Sequence, residues 1–223
     1  MNEAIFKRHR QLNACPPALL FYIVYRRLVE QGFAPTRLWV KDKIARRTEG
    51  FSPPNLSEVA PNLYVGGQHR QRGLQAMRDL GITAVVNMRE EFDDASRGLG
   101  LDHYLWLPTT DDTPPTVEDL AQGAVFIHEQ RSAGRGVYIH CASGVGRAPT
   151  MAAAYLVAQG ATPHHAWETL REGRPFVRPT PPQRAVVKTF AEQVRSSGHT
   201  EDERASPNQR VVASAAPEEE QGL

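Results

Sequence analysis

The chain has 223 residues, a formal net charge of +1 and 40% hydrophobic residues, with a pI near 7.9. That length suits one catalytic-size domain with extensions, and the apolar fraction supplies a core. The near-neutral charge excludes a polyanion binder working by bulk charge, so no nucleic-acid partner is expected, whereas a local phosphate site stays open.

Residues 1–54 read as an N-terminal helical extension. Its segment "PPALLFYIVYRRLVEQG" stays uncharged for about ten residues before Arg26, half of the ~20 needed to cross a bilayer. The expected reading is a helix that packs on the domain or on a partner. The alternative is an interfacial helix, giving peripheral membrane contact through Ala18–Leu28 with Arg26 and Arg27 at its edge. "TRLWVKDKIARRTEGF" follows as a basic amphipathic stretch, and Pro53 and Pro54 end it.

"NLYVGG" then reads as a strand, "RQRGLQAMRDLG" as a short helix, and the β-branched run "ITAVVNM" as a buried strand. The acid-rich "REEFDDAS" lacks the glycine-centred spacing of a calcium loop and reads as a solvated loop. "DHYLWLP" is another strand. "TVEDLAQGAVFIHEQRSAG" is a helix capped by Thr116, with acids in its first turn. After the strand "GVYIH" and the helix "PTMAAAYLVAQG" comes "TPHHAWETLREG", with Pro163 at its first helical position. His164 and His165 there lack metal-ligand spacing and read as ordinary helix-start residues. "PPQRAVVKTFAEQV" is the last helix. Alternating strands and helices predict an α/β fold, a central mostly parallel sheet flanked by helices. The predicted catalytic domain spans 55–195. From 196 to 223 the chain is rich in Ser, Pro, Ala and Glu, and a disordered tail is expected.

The chemistry concentrates in "HCASGVGRAPT", between a strand and a helix. The two cysteines, Cys15 and Cys141, exclude a disulfide framework and a CxxC metal pair. Cys15 reads as a buried or unused thiol. Cys141 is followed by Ala142, Ser143, Gly144, Val145 and Gly146, none of them large or charged, and then by Arg147. The backbone N–H groups of such a run can converge on one tetrahedral oxyanion. The following helix points its positive end at the same place. Arg147 adds a planar fork that holds two oxygens. A cysteine at the floor of this nest is expected to ionise near neutral pH and to act as a nucleophile toward phosphorus. An exposed reactive thiol suits a reducing compartment, so a cytoplasmic location is expected. The leaving group needs a proton, and the loop "PTTDDTPPT" offers Asp111 and Asp112.

"HCASGVGR" resembles the HCxxGxxR signature of the cysteine-based protein tyrosine phosphatases. "LYVGG", "GITAVVNM" and "RPFVRPTPPQRAVVKTF" resemble further parts of the compact dual-specificity type, over roughly Asn55 to Val194. The resemblance implies Cys141 as nucleophile and Arg147 as phosphate clamp. Ala142, Ser143, Gly144, Val145, Gly146 and Arg147 would form the substrate-binding cradle. Asp111, thirty residues before Cys141, would be the general acid, with Asp112 the alternative. No metal or cofactor is implied, and the partner is a phosphorylated protein or lipid headgroup. "LLFYIVYRRL" resembles the mitochondrial-type phosphatidylglycerophosphate phosphatases. Ala142, Ser143 and Val145 stand where inositide phosphatases carry lysines, which argues against a polyphosphorylated inositol. Ala148 departs from the Ser or Thr usual after the arginine, but "GRAP" resembles the plant glucan phosphatases, so slower second-step chemistry is expected rather than a dead enzyme. A phosphate-binding pseudophosphatase adaptor is the rival from another class. It predicts loss of the cysteine, the arginine or the acid, and all three are present. None of these residues lies in 1–54, so removal of the extension is expected to spare hydrolysis of a small aryl phosphate.

Overall fold

A computed structural model describes residues 17–205, and the side chains of 21–196. Cys15 and residues 206–223 lie outside the described residues. Two helices, α1 (Pro17–Gln31) and α2 (Phe33–Thr48), precede the sheet. Arg27 of α1 stacks over the buried indole of Trp39 on α2, 4.4 Å from the ring centre. The guanidinium thereby covers apolar surface while keeping its charge.

A five-stranded sheet follows, in the order β1-β2-β5-β3-β4. Its strands are β1 (Glu58–Ala60), β2 (Leu63–Gly67), β3 (Ile82–Arg89), β4 (His103–Thr109) and β5 (Gly136–Cys141). β1 is antiparallel to β2, and the other neighbours are parallel. The expected mostly parallel sheet is present, with one edge strand that the sequence reading lacked. β1 is three residues long, too short to leave an alternating pattern. β5 is buried along its whole length, as a central strand covered on both faces must be.

The helices are α3 (Leu74–Asp79), α4 (Val117–Ser132), α5 (Arg147–Ala158), α6 (Pro163–Gly173) and α7 (Pro181–Ala205). Thr116 caps α4 in a reciprocal capping box with Asp119, and Thr162 caps α6 ahead of Pro163. α5 is buried on nearly every side, and its alanines 148, 152, 153 and 154 let it lie close against the sheet. α7 runs past the boundary at 195 expected from composition, as far as Ala205.

Strand β5 therefore ends, and helix α5 begins, in the middle of the molecule. The loop between them sits at the carboxyl edge of a parallel sheet, where open α/β folds bind ligands.

Candidate active site

Cys141 is the last residue of β5 and Arg147 the first of α5. The five residues between them must reverse the chain within a short span. Gly144 does so with φ 65°, a conformation that disfavours a side chain. A Cβ there would also strike the backbone of Gly66 and the guanidinium of Arg174.

The sulfur of Cys141 is buried and accepts a bond from the Gly144 N–H at 3.3 Å. Burial pushes its pKa up. The Arg147 guanidinium and the N–H groups of Ala148 and Ser143 outweigh that, so the thiol lies below the ordinary cysteine value. A lowered value raises the thiolate fraction, and the thiolate is the nucleophilic form of cysteine.

The carbonyls of the loop face the other way, and each has a donor. Ala142 O accepts from Arg46 Nη1 at 3.2 Å and from the Gln68 N–H. Ser143 O and Gly144 O accept from Arg174, at 3.3 and 2.7 Å. Val145 O accepts from the Arg178 N–H at 2.6 Å, and Gly146 O from the N–H and hydroxyl of Thr150.

Arg147 is almost fully buried. Burial lowers its pKa, but Cys141, Glu91 and Asp111 raise it further, so it is permanently charged. Its Nη1 donates to the carbonyls of Thr109 (2.7 Å) and Met88 (3.3 Å) and to Glu91 (2.9 Å). Its Nη2 meets Glu91 at 3.2 Å and Asp111 at 3.1 Å. The buried Nε has no partner, and an oxyanion in the cradle would supply one.

Asp111 thus stands at the cradle, on the loop after β4. Asp112 takes the tight corner of that loop, with φ 65°, and its carbonyl accepts from the Thr180 hydroxyl at 3.3 Å. His164 and His165 lie at the start of α6, exposed and next to Glu168.

"REEFDDAS" is not the solvated loop expected from sequence. Glu91 grips Arg147, and its carboxyl, which burial alone would raise, is held down to about 2 chiefly by that guanidinium. Asp94 is fully buried and accepts from His140 Nε2 at 2.6 Å and from Gln68 Nε2 at 2.8 Å. Charge-rich runs without period carry no signal of burial. Here Asp94 is buried because the His140 imidazole meets it, and Glu91, still partly exposed, is held by Arg147.

Among the described residues, His69, Asp94 and His140 form one group whose donor atoms are near enough to share a cation. One ring nitrogen of each histidine is engaged, while the buried Nδ1 of each has no hydrogen-bond partner. His69 Nε2 donates to the Leu99 carbonyl at 2.7 Å, and Asp94 binds His140. His140 precedes Cys141 on β5, so its bond to Asp94 ties the segment after β3 to the strand that carries the cysteine.

The family described as "Dual specificity phosphatase, catalytic domain" matches residues 63–193. Human dual specificity protein phosphatase 9 is 25% identical over 179 residues, covering 76% of this chain and 47% of that protein. Human phosphatidylglycerophosphatase and protein-tyrosine phosphatase 1 is 32% identical over 130 residues, covering 54% of this chain and 64% of that protein. The chain therefore spans about half to two thirds of the length of these relatives. The crystal structure of PTPMT1 in complex with PI(5)P superposes with a TM-score of 0.58 at 24% identity, covering 63% of this chain and 96% of that one. The strand–loop–helix cradle, the sheet that holds it and the match across most of the domain agree, and the chain belongs to the dual specificity phosphatase catalytic-domain family.

Proposed function

We propose that the protein is a phosphatase that hydrolyses phosphomonoesters through a phosphocysteine at Cys141, with phosphorylated protein side chains as substrates. The observation that carries this reading is a buried, acid-shifted thiol beside Arg147, with Asp111 3.1 Å from the same guanidinium. Substrate phosphate enters the nest, and its oxygens take the Nε–H and Nη2–H of Arg147 and the inward N–H groups. Asp111 is displaced toward the ester oxygen. The thiolate attacks phosphorus in line, the P–O bond to the leaving group breaks, and Asp111 gives that oxygen its proton. Asp111, now a carboxylate, takes a proton from water, whose oxygen attacks phosphorus and releases the thiolate. The positive charge that the transition state needs comes from Arg147 and the loop N–H groups.

A second reading, a lipid headgroup as substrate, is favoured by α1 and α2. Phe21, Tyr25 and Val29 recur every four residues along one face of α1, at 76%, 56% and 68% exposed, and Phe33 at the start of α2 is 73% exposed. Residues 17–48 carry seven Lys/Arg against two Asp/Glu. Apolar side chains beside excess positive charge suit an anionic bilayer surface. No helix among the described residues is long and apolar enough to cross a membrane.

One panel separates the readings: an aryl phosphate, phosphotyrosine and phosphothreonine peptides, phosphatidylglycerophosphate and phosphoglucan, with and without vanadate. Vanadate-sensitive hydrolysis of the aryl phosphate is expected, and its absence overturns the phosphatase reading. Preference for the lipid, together with vesicle binding lost in Phe21→Asp/Val29→Asp, selects the second reading over the first.

A further inference from the structure

We propose that Arg46, held by Asp42, is a positioning residue for the phosphate cradle, which makes α2 part of the active-site structure. The inference rests on the phosphatase reading and extends it.

The carbonyl of one residue and the N–H of the next share a rigid trans plane and point in opposite directions. Gripping a carbonyl from outside the loop therefore aims the following N–H inward. Arg46 grips Ala142 O, which aims the N–H of Ser143, one of the groups that bond the Cys141 sulfur. Arg174 grips Ser143 O and Gly144 O, which aims the N–H groups of Gly144 and Val145. A guanidinium on the carbonyl also polarises the peptide and strengthens its donor.

Asp42 ties the two arginines together. Its buried carboxylate accepts from Arg46 Nε at 3.0 Å, one helical turn along α2, and from Arg174 Nη1 and Nη2, both at 3.3 Å. Burial favours its neutral form, but Arg174, Arg46 and the Ser52 hydroxyl hold it below the ordinary carboxylate range. One carboxylate against two guanidiniums leaves a net positive charge behind the loop, on the side away from the substrate.

The sequence makes room for this arrangement. β2 ends in Gly66 and Gly67, and a Cβ at Gly67 would lie 2.5 Å from Arg46 Nη1. The second glycine of "LYVGG" is thus needed for the guanidinium to reach Ala142. On this proposal residues 1–54 are not dispensable for turnover, contrary to the expectation from sequence, because both Asp42 and Arg46 belong to that segment.

The experiment uses the full chain. Iodoacetamide alkylation of the peptide carrying Cys141 is followed against pH, with and without inorganic phosphate, for the native protein, Arg46→Met and Arg46→Lys. In Arg46→Met the alkylation midpoint should move to higher pH, and the phosphate concentration giving half-protection should rise about 10-fold. Arg46→Lys keeps the charge and should recover part of both effects. If both variants match the native midpoint and half-protection, the positioning role is overturned, whatever their thermal stability. Should Arg46→Met fail to fold, Arg46→Lys alone decides by the same two readouts, with an intermediate shift expected. Native protein that phosphate does not protect would instead sink the phosphatase reading on which the proposal stands.

Discussion

The carboxylate of Glu91 meets the guanidinium of Arg147 along two contacts, Oε2 to Nη1 at 2.9 Å and Oε1 to Nη2 at 3.2 Å. The fork is therefore set in its plane before a phosphate arrives. Orientation fixed in advance does not have to be generated at the moment of reaction. Glu91→Gln keeps the shape and removes the charge. Because Glu91 is partly exposed, the loss should sit at the low end for a charge-assisted bond, about 10-fold in kcat/KM. Steady-state kinetics with an aryl phosphate reads this, and an unchanged kcat/KM would remove Glu91 from the account.

Asp111 and Asp112 are neighbours with different surroundings, one beside Arg147 and the other at the corner of the loop. Asp111→Asn should slow esters with poor leaving groups by roughly 10²–10⁴-fold, the usual range for general acid catalysis. Activated esters should lose less. Asp112→Asn should be mild, since the position contributes backbone conformation, which Asn also adopts. A leaving-group series for both variants checks the assignment, and the reverse pattern would move the acid by one residue.

Much of the site could be read from the chain. "HCASGVGR" contains the nucleophile, the nest and the clamp in one uninterrupted run, and each acts through local backbone geometry. The helix boundaries at Thr116 and Thr162 were legible for the same reason, because capping is local. Glu91, Asp94, Asp42 and Arg174 were not. Their roles depend on partners far along the chain, such as His140, 46 residues from Asp94, and Asp42, 132 residues from Arg174. A charged residue carries no mark in sequence of whether its partner will be water or a buried arginine. Only "GG" at 66–67 hinted at such a contact, since paired glycines in a strand signal close approach by another group.

His69 is fully buried, and its pKa falls to about 4, through burial first and then the neighbouring His140, against the opposing pull of Asp94 and Leu99 O. Its folded value lies below the unfolded value near 6.5, so protonation favours the unfolded chain. This contribution is complete above pH 6.5 and drains away as pH falls toward 4, a loss of about 3 kcal/mol. Thermal unfolding across that window should show a falling midpoint, with a shallower fall in His69→Gln. Parallel curves for the two proteins would place the acid sensitivity elsewhere.

Ala148 is fully buried, and its N–H is one of the bonds to the Cys141 sulfur, but it brings no hydroxyl. Thr150 cannot supply one, because its hydroxyl donates to Gly146 O at 2.9 Å. The departing thiolate in the second step therefore lacks a hydrogen bond of the kind that contributes about 1.5–3 kcal/mol. That corresponds to a roughly 10- to 150-fold slower breakdown of phosphocysteine. Rapid-quench kinetics should show a burst followed by slow turnover, and Ala148→Ser should shrink the burst and raise kcat. A native protein without a burst, paired with unchanged kcat in Ala148→Ser, would show that the second step is not limiting.

The central claim is that phosphorus passes through the sulfur of Cys141. Acid quenching during turnover of a radiolabelled phosphomonoester, followed by peptide mapping, measures this most directly. The label should be found on the peptide carrying Cys141, stable to acid, and both label and hydrolysis should vanish in Cys141→Ser. Continued hydrolysis by Cys141→Ser, or label on any other residue, would contradict the account.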